Sequence, residues 1–92
     1  MRLLLVEDDR MIGDSLRAAL RMEGHAVDWV RDAEAATATL SSERFDLVLL
    51  DLGLPRGSGM DVLRLLRARG DVTPVIVLTA RDGPGDRVAG LD

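Results

Sequence analysis

The sequence predicts an α/β domain built on a parallel sheet with helices on both faces. Three observations carry this reading. Four short apolar runs recur along the chain, and uninterrupted runs of this kind suit strands buried on both faces. The stretches between them are longer and amphipathic, with apolar residues at helical spacing. The two kinds alternate, which implies crossover connections and parallel strands rather than hairpins. A chain of 92 residues has room for one domain, over 1–92.

Taken in order, Leu3-Leu4-Leu5-Val6 predicts a strand near 2–6. The next stretch places Ile12, Leu16, Ala19 and Leu20 on one helical face, and Gly24 suits a left-handed cap at its end. Ala26-Val27-Asp28-Trp29-Val30, with its β-branched and aromatic residues, predicts a second strand over 26–30. A helix over about 33–41 follows, capped by Asp32 and turning Ala33, Ala36, Thr37 and Leu40 inward. Leu47-Val48-Leu49-Leu50 predicts a third strand over 46–50. Pro55-Arg56-Gly57 is a turn, and Ser58-Gly59-Met60-Asp61 resembles a capping box opening a helix over 58–68. That helix buries Val62, Leu63 and Leu66. Val75-Ile76-Val77-Leu78 predicts a fourth strand over 75–79, and Arg81-Asp82-Gly83-Pro84-Gly85 a loop. Asp86 to Leu91 reads as the first turns of a fourth helix, so the expectation is a piece of a longer protein.

Composition narrows the function. All 12 basic residues are arginine, against 16 acidic ones, for a net charge of −4. A negative domain with no basic cluster is a poor nucleic-acid binder by itself. There is no cysteine, which excludes disulfides and thiolate metal sites and points to a cytoplasmic location. No apolar run approaches the ~20 residues of a membrane helix. Met1-Arg2 leads into a short apolar run that acids cut off at once, which is not a secretory leader.

In open parallel sheets the ligand site lies beyond the carboxyl ends of the strands. The first strand ends in Glu7-Asp8-Asp9, the third in Asp51 and the fourth in Thr79-Ala80. If these strands are neighbours, the groups converge. Two ionised carboxylates about 5 Å apart repel by about 3 kcal/mol at an effective dielectric of about 20. Several of them are tolerable only if one protonates or a cation binds, and a cage of hard oxygens suits Mg²⁺ or Mn²⁺. The same acids exclude the anion-attracting glycine-rich loop that a nucleotide phosphate needs after the first strand. A cation, a central carboxylate and a nearby hydroxyl suit phosphoryl transfer to Asp51. Blander roles stand beside these. Asp9 suits a helix N-terminus. His25 reads as a solvated residue, Trp29 and Phe45 as packing residues, and Arg64, Arg67 and Arg69 as a solvated helix face.

Leu3-Leu4-Leu5-Val6-Glu7-Asp8-Asp9, Asp51-Leu52-Gly53-Leu54-Pro55 with Gly57-Ser58-Gly59, and Pro74-Val75-Ile76-Val77-Leu78-Thr79-Ala80-Arg81 resemble the receiver domain of bacterial two-component response regulators. The wording is most similar to the subfamily whose receiver precedes a winged-helix DNA-binding domain. The resemblance covers the whole chain. It implies a flavodoxin-like doubly wound sheet, in strand order 2-1-3-4 with the family's fifth strand and helix missing. It implies that Asp51 accepts a phosphoryl group from a sensor histidine kinase. Glu7, Asp8 and Asp51 would hold Mg²⁺ with the Gly53 carbonyl, and Thr79 and the Ala80 N–H would contact the phosphoryl group. The family's phosphoryl-pairing lysine has no counterpart here, since the chain holds no lysine. DNA contact is expected only through an output domain not included in these residues. A homo-oligomer is expected, because the fourth strand would present an open edge. Two other readings stand open. One is a metal-dependent phosphatase using an aspartyl-phosphate; its dehalogenase-type version wants an acid two residues after the nucleophile, where Gly53 stands. The other is a module that binds a partner without being phosphorylated.

Overall fold

Strand β1 (Arg2–Val6) runs up the middle of a sheet that the computed structural model describes through residues 1–54, 58–78 and 90–91. The chain continues through α1 (Arg10–Met22), β2 (Ala26–Val30), α2 (Ala33–Ser42), β3 (Leu47–Asp51), α3 (Gly59–Ala68) and β4 (Val75–Leu78). A two-residue β5 (Gly90–Leu91) completes the sheet, in order β2-β1-β3-β4-β5. The first four strands are parallel, so β1 and β3 are the inner pair on which the acidic strand ends meet.

The side-chain alternation divides the sheet into two unequal faces. Leu4, Val6, Val48, Leu50, Val75 and Val77 point to one face and pack with Ala33, Ala36 and Leu40 of α2 and Val62, Leu63 and Leu66 of α3. Phe45 and Leu54 close this core. The alternate residues face α1. Leu3 and Leu5 are buried there, whereas Leu47, Leu49, Ile76 and Leu78 are only partly covered.

Caps fix the helix starts. Asp9, Asp32 and Ser58 accept from the N–H groups of Ile12, Ala35 and Asp61 at 3.0, 2.7 and 3.2 Å. The Asp61 carboxylate pairs along the helix with Arg64 at 3.2 Å. Gly24, at φ +93°, closes α1 in the left-handed region.

Four expectations need correction. Of the face expected for α1, Leu16 and Leu20 are partly buried, but Ile12 and Ala19 are not turned inward. Gly13 is the helix's buried residue, Ile12 is 45% exposed and Ala19 is exposed. Gly13 has no side chain, so the helix turns it down onto Trp29. The third strand starts at Leu47, because Asp46 is drawn into a clasp with Arg2: the Arg2 N–H donates to Asp46 Oδ2 at 2.7 Å and the Asp46 N–H to the Arg2 carbonyl at 2.8 Å. Gly90–Leu91 are not helical but pair antiparallel with Ile76 and Val77. Glycine is a poor helix former, and the pairing covers part of the β4 edge that was expected to be open. Arg67 and Arg69 are not merely solvated. Arg67 donates to the Asp71 carbonyl at 2.8 Å, and Arg69 reaches the Leu40 carbonyl and Asp71, tying α3 to the end of α2. The Pro55–Gly57 turn, the Arg81–Gly85 loop and most of the segment from Asp86 lie outside the described residues. Among the described residues no helix is long and apolar enough to cross a membrane.

Candidate functional site

The site forms where β1 and β3 run out side by side. Val6 pairs with Leu50, so Glu7 and Asp51 stand level one residue further on. The Glu7 N–H donates to the Val30 carbonyl at 3.1 Å, which extends the ladder one step past β1 and holds Glu7 inside the sheet. Glu7 and Asp51 are only 4% and 2% exposed, and Asp8 is half-buried. One carboxylate oxygen from each of the three lies within 4.8 Å of the others.

Each acid is held by its own local structure. The Gly53 N–H donates to Asp51 Oδ1 at 3.1 Å, a short turn that aims the carboxylate back over the strand ends. Helix α3 begins hard against the same spot. A Cβ on Gly59 would lie 2.6 Å from the Asp51 carbonyl oxygen and 2.8 Å from Leu52 Cα, so only glycine lets the helix start there. Asp9 is excluded from the cluster. Its side chain caps α1, while its N–H donates to Glu7 Oε2 at 3.1 Å.

Burial pushes the Glu7 carboxyl up from its ordinary 4.5 to about 7. The Asp9 N–H works against this shift, and the neighbouring Asp51 and Asp8 add to it. Three carboxylates so close, one of them shifted toward its neutral form, are a hard-oxygen donor set short of positive charge. They fit a divalent cation of the Mg²⁺ type.

The sequence singled out Glu7, Asp8, Asp51 and Gly53, and the structure brings them together. Thr79 and Ala80 lie outside the described residues. Two residues of the neighbourhood were not foreseen. Trp29 does pack, with its ring against Gly13, but its Nε1–H also donates to the Glu7 carbonyl at 2.9 Å. Arg31 donates to the Asp8 carbonyl at 2.9 Å. A half-buried indole N–H needs an acceptor, and that was the available signal.

The model of the response regulator receiver domain family matches residues 3–92. Over 92 residues the chain is 59% identical to the response regulator protein PmrA of Pseudomonas aeruginosa, covering all of this chain and 42% of that protein. It resembles the receiver domain of a sensor histidine kinase from the same species, solved with a magnesium ion coordinated in the active site cleft. That match has TM-score 0.83 and 34% identity, over 91% of this chain and 70% of the other. The response regulator protein TrrA of Thermotoga maritima, solved in complex with Mg²⁺-BeF, matches with TM-score 0.82 and 33% identity, over 88% of this chain and 70% of that one.

Proposed function

This chain belongs to the response regulator receiver family, and from that premise we propose that Asp51 is its phosphoacceptor. The observation that carries the reading is the meeting of Glu7, Asp8 and Asp51 at the ends of two adjacent central strands. The donor is a phosphohistidine on a sensor kinase. An Asp51 oxygen bonds to phosphorus as the phosphorus–nitrogen bond breaks, and the electron pair returns to the imidazole.

Glu7, Asp8 and Asp51 would hold Mg²⁺, with the Gly53 carbonyl as a further ligand. The cation supplies charge neutralisation for the phosphoryl oxygens. The Gly53 N–H orients the Asp51 carboxylate at 3.1 Å, and the near-complete burial of Asp51 keeps bulk water from it. Thr79 and the Ala80 N–H are assigned the contact with the phosphoryl group. Gly53, two residues past Asp51, offers no acid or base for rapid hydrolysis, which weighs against a phosphatase. In the longer protein the receiver governs a winged-helix DNA-binding output domain in the cytoplasm. The length of its relative supports this, since the chain spans 42% of it. The half-covered Leu47, Leu49 and Ile76 beside α1 offer apolar area to a second copy.

Incubation with Mg²⁺ and acetyl phosphate, followed by intact mass measurement, tests the assignment. Wild type should gain about 80 Da, one phosphoryl group. Asp51→Asn should gain nothing while keeping its circular dichroism. Undiminished labelling of that variant would refute the assignment.

A further inference from the structure

The acidic loop follows β1 and is bonded to the neighbouring outer strand β2 and to the residue just after it. Three backbone groups of the loop are bonded there: the Glu7 N–H to the Val30 carbonyl at 3.1 Å, the Glu7 carbonyl to the Trp29 indole at 2.9 Å, and the Asp8 carbonyl to the guanidinium of Arg31, one residue past β2, at 2.9 Å. The first is ordinary sheet pairing. The other two are side chains, one on β2 and one just past its end, reaching to the backbone of two of the three clustered acids.

The indole is itself fixed. A Cβ on Gly13 would come within 2.1 Å of the ring, so α1 lies directly on it, and the Arg17 guanidinium sits 5.3 Å from the ring centroid. On its Gly13 side the half-buried ring is backed by α1. Clustered carboxylates repel one another, and a loop free to relax would splay them. A rigid aromatic anchored on a helix and a guanidinium spanning to the next carbonyl oppose that relaxation.

We propose that Trp29 and Arg31 are positioning residues that clamp the backbone of the acidic loop and so hold Glu7 and Asp8 in the geometry that faces Asp51. The consequence for Mg²⁺ affinity rests on the cation reading given above; the clamp itself does not.

The experiment compares wild type, Trp29→Phe and Arg31→Met in the full chain. Phenylalanine removes the indole N–H together with part of the ring edge that meets Gly13, whereas methionine keeps an aliphatic stem without the guanidinium, so Arg31→Met is the cleaner arm. The cation-free readout is hydrogen exchange at the Asp9 amide, which is bonded to Glu7 Oε2 and reports the loop's geometry. Both variants should exchange there about 3- to 10-fold faster, with β3 amides unchanged. The second readout is Mg²⁺ titration by calorimetry, where both should bind about 3- to 10-fold more weakly. Trp29 is the only tryptophan, so its emission in wild type and in Arg31→Met should respond saturably to Mg²⁺. Unchanged Asp9 exchange in both variants would overturn the clamp. If wild type binds no Mg²⁺, the cation reading falls, and the clamp is decided by the exchange alone. Should Trp29→Phe fail to fold, Arg31→Met decides both readouts.

Discussion

Glu7 is a buried carboxyl that favours its protonated form. Its folded-state pKa, raised to about 7 by burial first and then by Asp51 and Asp8, lies above its ordinary value of 4.5. The sign follows from linkage. Folding favours the protonated form, so this contribution to stability is complete below pH of about 4.5 and is lost as pH rises through about 7. Chemical denaturation of the cation-free chain at several pH values should show this fall, and Glu7→Gln should flatten it. Mg²⁺ held as proposed would displace the same proton, so its affinity should climb over the same window; an affinity flat from about pH 5 to 8 would count against Glu7 as a ligand. The neighbouring acids separate by role. Asp8→Ala should weaken Mg²⁺ binding at least about tenfold. Asp9→Ala should instead cost about 1 kcal/mol of stability, because it removes the cap on Ile12 and leaves the Asp9 N–H on Glu7. Equal Mg²⁺ affinities in the two variants would show the wrong pair was chosen. These acids were legible in the sequence because each stands where an apolar run ends. Trp29 and Arg31 were not, because their acceptors are set by the register of β2 against β1, which no local pattern specifies.

Elements were legible where one face meets a continuous core. Helices α2 and α3 bury the residues their periodicity selects, since both lie on the apolar face formed by Val48, Leu50, Val75 and Val77. Helix α1 was legible only in part: Leu16 and Leu20 are partly buried as their spacing predicts, but the fully buried residue is a glycine, which periodicity does not count. Gly13 tests this. Gly13→Ala gains about 1 kcal/mol of helix propensity, but its new methyl meets the Trp29 ring at 2.1 Å. Overpacking costs about 1–3 kcal/mol, so a net loss of up to about 2 kcal/mol is expected, with a shift in Trp29 emission. Gly59→Ala should be worse, because its methyl meets backbone at Asp51 and Leu52, which cannot rotate away. Denaturation should show a larger loss than for Gly13→Ala, and the Gly53 amide, bonded to Asp51, should lose protection from exchange. Equal stability of Gly59→Ala and wild type would mean that α3 does not start against the site as described.

At the scale of the whole molecule the two sheet faces are unequal, and stability should be unequal with them. The face under α2 and α3 closes on fully buried side chains, with Leu4, Val6, Val48, Leu50 and Val75 each at 0% exposure. Across the sheet, Gly13 of α1 sits on Trp29 of β2 and Leu3 and Leu5 of β1 are buried, but Ile12 stays 45% and Met11 77% exposed, and Leu47, Leu49 and Ile76 are covered only in part. Burying apolar area yields roughly 25 cal/mol per Å², so α1 is held by a smaller contribution than α3. Local opening follows the thinnest packing, and it reaches a given amide without global unfolding when few buried contacts must break. Native-state hydrogen exchange should therefore show α1 amides opening at a lower free energy than those of β1 and β3, which should exchange only through global unfolding. Substitutions should track the same division. Leu50→Ala should cost about 3–5 kcal/mol and lower the protection of β1, β3 and α3 together. Ile12→Ala should cost no more than about 1 kcal/mol and change α1 alone. Because Asp9 caps α1 and its N–H bonds Glu7, opening of α1 loosens one end of the acidic loop, and a cation gathered by Glu7, Asp8 and Asp51 should oppose it. Saturating Mg²⁺ should then slow exchange in the first turns of α1 more than in α2. Equal slowing in both helices would mean that the cation stabilises only the global fold and that α1 is not coupled to the site.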